Sequence, residues 1–412
     1  AVGAASGRES GTEHSRPEAA PTGSAKFARH PLPNLRMPRK LLELTVVANF
    51  VEVFLARDGH DGPVGLNLLE KIQLPTLPSL LGAMLAGVDY VLMGAGIPRA
   101  IPGVLDDLAR YRPVALPLDV AGARPDQRYA TTLDPADIVP DPGSALERPR
   151  FLAIVSSATL ATTLARKASG HVDGFVIEGP SAGGHNAPPR GPLQLSAQGE
   201  PVYGPRDVPD LEQIRSLGRP FWLAGSWGRP GKLGEALALG AAGVQVGTAF
   251  AFCEESGMRE DLKRRVLAES RRQSLRVRTD PRASPTGFPL KVVELEGTVS
   301  EESAFAARPK ICDLGYLRQA YRRDDGSVGF RCPGEPERDY LAKGGKLEDT
   351  RGRKCVCNGL LATIGLAQVQ KRGYVEPPLV TAGEDARIVA EFLPPGRDSY
   401  TAADVIRRLL GT

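Results

Sequence analysis

The chain has 412 residues, 42% of them apolar and 24% charged, which is ample for one large α/β domain plus an appended region in an ordinary soluble composition. Its 52 basic and 48 acidic residues leave a formal charge of +4, no helix carries a Lys/Arg run and aromatics make up only 6%, so nucleic acid finds no support as a partner. The longest apolar window, Leu80 to Ile97, is broken by Asp89 and by small residues and reads as helix then strand, not as a membrane span.

In chain order, residues 1–40 are rich in Ala, Gly, Ser, Pro and charge without apolar period and are expected to be disordered or extended. Periodicity alone does not settle Glu43 to Leu55: Leu44, Val47, Val51 and Phe54 fit one helical face while the β-branched content argues strand, and a helix from Val46 onward, ended by Gly59, is the reading preferred. Pro63 to Leu69 reads as a buried strand with Asn67 near its carboxyl end. A helix follows from Pro78 to Leu85, stopped by Gly87, then a strand from Val88 to Met93 that leaves through Gly94-Ala95-Gly96. Pro102 opens another helix, to Arg110. Residues 113–149, strand-like from Val114 to Val120 but otherwise dominated by Pro, Asp and Gly, read as an excursion from the main sheet.

The beat then resumes. Phe151 to Val155 is a strand, Ala158 to Ala168 a helix, and Val172 to Ile177 an apolar, β-branched run that suits a strand buried on both faces. Pro209 to Leu217 is a helix, Phe221 to Ala224 a strand, Lys232 to Leu239 a helix and Val244 to Val246 a strand. A long charged helix runs from about Met258 to Gln273. This alternation defines a barrel domain over 41–296, and an open doubly wound sheet is its structural competitor. Against the competitor, no strand is followed by a Gly-x-Gly-x-x-Gly turn. Residues 297–412 hold four of the five cysteines, a turn-rich stretch from Arg322 to Gly334 and a last helix from Ala402 to Leu410, and read as a C-terminal appendage.

Three strand exits carry candidate chemistry: Ala182-Gly-Gly-His185, Ala224-Gly-Ser-Trp-Gly228 and Gln245-Val-Gly-Thr-Ala249. Gly183 and Gly184 remove side chains where the strand ends, so a flat or anionic ligand could approach the main-chain amides. His185 stands beyond the carboxyl end of its strand, where α/β barrels keep their chemistry, and an imidazole titrates near neutrality and can accept a proton. Consecutive junctions late in a barrel are where phosphate is bound.

With Pro63-Val-Gly-Leu-Asn67, Gly-Pro-Ser-Ala-Gly-Gly-His185, Trp-Leu-Ala-Gly225 and Gly243-Val-Gln-Val-Gly-Thr-Ala-Phe250 in this order, the chain resembles the nitronate monooxygenase family over roughly residues 60–260. The resemblance implies a (β/α)₈ TIM-type barrel holding FMN at its top. It implies that Asn67, Glu178, Gly183 and Gly184 border the isoalloxazine or its phosphate side, and that Ala224, Gly225, Gln245, Gly247 and Thr248 cradle the ribityl phosphate, with Ser226 replacing a glycine in that turn. His185 matches the histidine proposed in the family to take the nitroalkane α-proton or polarise the nitro group. The family's opening strand with its Gln-Gly-Gly-Met-Gly turn has no counterpart in residues 1–62. Either an N-terminal portion is missing, or the barrel lacks its first strand or strands and is open or closed by something else. Glu178 stands where the family usually has Gln, and would disfavour an anionic reduced flavin unless paired, for example with Arg190.

The leading expectation is therefore a cytoplasmic FMN-dependent oxidoreductase acting on a small nitronate or nitroalkane with dioxygen. The alternatives are an FMN-dependent enoyl-thioester reductase using NAD(P)H, and a flavin-free barrel serving as a binding or scaffold component; a homo-oligomer is left open. Five cysteines, an odd number, without a secretory apolar region argue against a disulfide framework. Cys312, Cys332, Cys355 and Cys357 could form a tetrathiolate, but Cys-x-Cys and the dispersed remaining pair suit a metal poorly, so they read as buried free thiols and no metal ligand is expected. Asp207 is either a helix cap or, with Tyr203 and Arg206, part of a substrate loop. Trp222 reads as core and Trp227 as a pocket wall.

Overall fold

The computed structural model describes residues 30–370 and 373–412. Most of the segment expected to be loose, 1–29, lies outside them. In chain order the first half comprises α1 (Arg39–Arg57), β1 (Gly65–Leu69), α2 (Thr76–Leu85), β2 (Tyr90–Gly94), α3 (Ile101–Leu108), β3 (Val114–Pro117), β4 (Val120–Ala121), β5 (Ala130–Leu133), β6 (Arg150–Val155), α4 (Ala158–Lys167) and β7 (Gly174–Glu178). There follow α5 (Leu211–Arg215), β8 (Phe221–Ala224), α6 (Lys232–Ala238), β9 (Gly243–Gln245), α7 (Thr248–Ala251), α8 (Glu260–Arg271), β10 (Arg276–Asp280) and β11 (Leu290–Glu294). The C-terminal part adds α9 (Glu302–Ala307), β12 (Gln319–Arg322), β13 (Val328–Arg331), α10 (Glu337–Ala342), α11 (Val356–Thr363) and α12 (Ala402–Leu410).

Six of these strands form one parallel sheet in the order β1-β2-β6-β7-β8-β9. This is the sheet of a partial TIM-type barrel: among the described residues no pairing joins β9 back to β1, so both remain edges. Its central strands β6, β7 and β8 are apolar on both faces because both are covered. By contrast β1, expected to be buried, is an edge strand whose residues are exposed or half-buried, because among the described residues no strand pairs on its outer side. Phe151, Ala153 and Val155 of β6, with Phe175 and Ile177 of β7, face the main core under α2, α3 and α4. Leu152 and Ile154 alternate with them and join Val176 and Ala224 on the concave side. Asp89 and Asp173 stitch the sheet's amino-terminal edge: Asp89 accepts from Val64 N, and Asp173 from Phe151 N and from Arg148.

The excursion stays out of this sheet, since β3 pairs antiparallel with β5 and β4 joins β12 and β13. Two helices differ from expectation. The helix α5 is shorter than Pro209–Leu217, being capped at Asp210, whose carboxylate accepts from Gln213 N. The helix α1 begins earlier, directly after Pro38, and its expected inward face is the wrong one. Leu44, Val47, Val51 and Phe54 are exposed, whereas Leu41, Val46 and Val53 are buried. The reason is α2: a Cβ on Gly82 would lie 2.1 Å from the Val46 carbonyl oxygen, so the missing side chain lets the two helices approach along the Val46 side.

The β10–β11 hairpin lies beside the sheet and ties the C-terminal part to it. Lys291 N donates to Gly184 O at 2.9 Å, Asn186 N to Pro289 O at 2.9 Å, and Val293 N to Val380 O at 2.9 Å. A second core gathers α7, α8, the hairpin and residues 380–405 around Phe252, Val266, Val389 and Tyr400.

Candidate active site

The carboxyl ends of β7, β8 and β9 converge. Every residue for which the family resemblance implied flavin contact (Asn67, Glu178, Gly183, Gly184, Ala224, Gly225, Ser226, Gln245, Gly247 and Thr248) lines one cavity of about 320 Å³. That volume lies within the range of sites that enclose an organic ligand. Parallel pairing sets this geometry, because Glu178 stands opposite Ala224 and Ala224 opposite Gln245, so the three exits share one level.

Within the cavity the glycines divide by what they do. Gly184 has φ +77° and open space where a side chain would be, and Gly247 has open space as well. Gly225 has φ +86° and a Cβ there would meet Ala182 N at 2.9 Å, so both the turn and the close approach require glycine. Gly183 departs from expectation. A Cβ there would stand 2.6 Å from Gly383 N, so its missing side chain admits the main chain of 382–383 rather than a ligand. Ser226 adopts φ +58°, the backbone conformation that a glycine would take without strain. Gln245 Oε1 is buried without a hydrogen-bond partner, a polar atom in the cavity wall that a ligand donor could satisfy. The Thr248 hydroxyl, expected as a donor to phosphate, accepts from Gly383 N at 2.9 Å, which leaves its own proton to donate.

His185 lines an adjoining cavity of about 170 Å³ together with Ile97, Ile154, Arg190, Tyr203 and Phe288, and Glu178 borders both cavities. Its Nε2 lies 2.6 Å from Ser284 Oγ, which in turn is 2.8 Å from Thr286 Oγ1. Burial pushes the imidazole pKa down to about 4, so the ring is neutral at pH 7. Burial pushes the Glu178 carboxyl up to about 7, although part of its surface opens into the two cavities. The expected pairing with Arg190 is not formed: the Arg190 guanidinium donates to Ser156 O, and among the described residues Glu178 has no ion pair. Asp207 takes the capping role, accepting from Gly204 N and Arg190 N, while Tyr203 donates to Ala187 O and faces the His185 cavity. Trp227 borders the larger cavity, with Lys232 over its ring.

Two groups of site residues escaped the sequence reading. Thr381, Ala382, Gly383 and Asp385 wall the larger cavity from the C-terminal part, with Asp385 paired to Arg229 at 3.0 Å. The run Leu379-Val-Thr-Ala-Gly383, apolar residues ending in glycine, is the same exit signal read elsewhere. Ser284 gave no such signal. The four C-terminal cysteines do come together, around one small void, as free thiols with Cys312 hydrogen-bonded to Cys332. Among the described residues no three Cys, His, Asp or Glu side chains stand in a metal-binding arrangement. Among the same residues no helix is long and apolar enough to cross a membrane.

A half-barrel parallel sheet with a glycine-lined cavity at its carboxyl ends defines an α/β protein of the partial TIM-barrel class. Residues 139–287, which carry β6 to β10 and all three exits, match the family model described as nitronate monooxygenase. Among solved structures the chain is similar to a FabK mutant from Thermotoga maritima, with a TM-score of 0.45 and 16% identity, covering 90% of this chain and 86% of that one. It is also similar to the enoyl reductase domain of MlnA from the macrolactin biosynthesis cluster of Bacillus amyloliquefaciens, with a TM-score of 0.36 and 12% identity over 65% of this chain and 58% of that one. No curated protein matches it in sequence.

Proposed function

We propose that the chain is an FMN-dependent oxidoreductase of the nitronate monooxygenase type, with the larger cavity for the flavin and the His185 cavity for a small nitronate or nitroalkane. The observation that carries this reading is the convergence of three strand exits on one cavity that adjoins a half-buried, neutral imidazole. The residues fit the group: open space at Gly184 and Gly247 gives access to main-chain amides, and the orphaned Gln245 Oε1 offers an acceptor to a flavin donor. When bound, FMN would accept electrons from the substrate and pass them to dioxygen.

The chain's own part is to position and to move a proton. In the tautomer whose Nε2–H donates to Ser284 Oγ, Nδ1 of His185 is the acceptor for the α-proton of a nitroalkane in the smaller cavity. Glu178, between the two cavities and close to half-protonated at neutral pH, can hold a proton there without fixing a full negative charge beside the flavin. Ile97, Ile154 and Phe288 keep that space apolar.

A second reading, an FMN-dependent enoyl-thioester reductase using NAD(P)H, is favoured by the clefts of about 780 Å³ and 660 Å³ that open beyond the His185 cavity. The test is an absorbance spectrum of the purified protein followed by anaerobic addition of a nitronate or of NADPH. A yellow protein bleached by nitronate supports the first reading, and bleaching by NADPH alone moves the assignment to the second. A colourless protein that gains no colour with added FMN leaves only a scaffold. In His185→Asn, turnover of a neutral nitroalkane should fall about 100-fold or more, the range of a lost general base, with FMN content unchanged. Equal turnover in variant and parent would remove His185 from the chemistry.

A further inference from the structure

Cys312, Cys332, Cys355 and Cys357 come from three separate places in the chain: the loop after α9, the end of β13 and the start of α11. Folding brings all four to one small void, with Pro285, Leu314, Leu317 and Val356 among its other walls. No nitrogen or oxygen surface borders it, so water would find none of the polar partners it needs there. Because the void is small, whatever fills it is bonded to the sulfurs themselves. The spacing that argued against a metal in the sequence concerns ligands carried on one turn, and here the tertiary structure gathers them instead.

The surroundings favour thiolate over thiol. Cys355 is the N-cap of α11 and Cys357 lies in its first turn, at the positive end of the helix. Main-chain amides stand against three of the sulfurs: Gly334 against Cys332, Asn358 against Cys355, and Tyr316 and Leu317 against Cys357. Cations lie close by, since Arg318 faces Cys312, Cys332 and Cys357, Arg308 faces Cys355, and Lys343 faces Cys312. Arg308 and Lys343 are committed to Glu376 and Glu335. Arg318 donates to the carbonyls of Gly315 and Pro33, which leaves its charge for the sulfurs. Amides aimed at sulfur and a compensating cation are the outer shell of a metal thiolate; inert buried thiols have no use for them.

The arrangement also selects the metal chemistry. A single zinc ion holds each sulfur at about 2.3 Å and so draws its ligands into contact with one another. Among the described residues no three Cys, His, Asp or Glu side chains are set to share one ion in that way. Four cysteines held farther apart about a common centre are the ligand set of several irons bridged by sulfide. We propose that Cys312, Cys332, Cys355 and Cys357 hold an iron–sulfur cluster, each S–H losing its proton to solvent as its bond to iron forms. The centre would stand one loop behind the candidate active site. Pro285 of the void follows Ser284, the partner of His185. The residues before Cys355 clasp that loop, Lys354 N donating to Ala283 O at 2.9 Å and Arg353 Nη1 to Ser284 O at 2.6 Å. A cluster bonded to Cys355 would therefore fix the loop that orients the imidazole.

The test uses the full chain, produced and purified under nitrogen. Iron, acid-labile sulfide and zinc are measured per chain, and electron paramagnetic resonance is recorded after reduction with dithionite. About two or four irons with equal sulfide are expected, and the count separates the two cluster types. The reduced protein should show the resonance of a cluster, distinct from that of a flavin radical. Should the centre be lost in handling, ferrous iron, sulfide and a thiol should rebuild it. Cys332→Ser and Cys357→Ser should lose most of the iron, whereas Cys253→Ser, whose thiol lies in the second core, should keep it. If the first two variants fold poorly, the parent's own iron and sulfide decide the matter. Stoichiometric zinc without sulfide would overturn the cluster. So would iron and sulfide absent both before and after rebuilding, or folded serine variants that hold iron as the parent does. FMN enters none of these measurements, so the flavin reading and the cluster can fail separately.

Discussion

Glu178 and His185 carry opposite shifts from one cause, and this has a measurable signature. Burial moves Glu178 from 4.5 to about 7 and His185 from 6.5 to about 4. For Glu178 the folded state holds its proton more tightly than the unfolded chain. Its contribution is thus full below pH 4.5 and is lost as pH rises towards 7. For His185 the folded state resists protonation, so its contribution is full above pH 6.5 and is lost as pH falls towards 4. Each amounts to about 3 kcal/mol at most by linkage, less whatever the cavity water screens. Between pH 4.5 and 6.5 the two slopes oppose each other and largely cancel. In flavin-free protein, Glu178→Gln should therefore expose a loss of stability as pH is lowered through this window. His185→Gln should expose a gain over the same window, both read by urea denaturation at stepped pH. Parallel pH profiles for the two variants would show that these groups titrate in water instead. Both residues were legible in the sequence, because a polar residue that ends a doubly buried strand and a histidine after paired glycines stand out. Ser284 was not, since it lies 99 positions from the imidazole it touches.

Among the elements, the segment after Leu379 shows what periodicity misses. Its Gly383 and Asp385 wall the cavity, yet its place is set by the buried Lys291 of β11, whose Nζ donates to Glu384 Oε1 and Thr279 Oγ1, each at 2.6 Å. Lys291 is 3% exposed, so removing its carboxylate partner leaves a cation with little water. Glu384→Gln should cost about 3 kcal/mol by urea denaturation and should release the segment from the cavity wall. A cost below about 1 kcal/mol would mean that the ammonium reaches solvent after all. No pattern in the sequence announces a pair 93 positions apart. The helix α1 teaches the complementary lesson. Its apolar run left helix and strand both open, and in the helix that forms more than one face is apolar, the choice between them being made by a glycine on α2 that admits the Val46 carbonyl. Apolar period reports that an element is amphipathic; the neighbour's shape decides which side is inside.

For the whole molecule, the alternation of strand, glycine exit and helix made the parallel sheet readable, because each exit and each buried strand is a local signal. The sheet's closure was not readable, since closure depends on which segments meet across the open side. There the described residues place β11 and the stretch from Thr381 to Gly383 against the Gly183–Asn186 loop. The cavity is consequently a joint of two distant parts of the chain, and a ligand bound in it should hold them together. FMN at 100 times its dissociation constant should add about 2.7 kcal/mol to stability. Gly383 is the place to break this coupling with little change elsewhere. A Cβ there would meet Ser181 O at 2.9 Å and Thr248 Oγ1 at 3.0 Å, so Gly383→Ala must push the C-terminal wall away from the strand exits. The variant should lose FMN affinity about tenfold and show a correspondingly smaller thermal shift on adding FMN. Its melting temperature without FMN should fall by only a few degrees, as for about 1 kcal/mol of overpacking. Undiminished flavin binding in this variant would mean that the strand exits alone grip the ligand and that the C-terminal wall is a bystander.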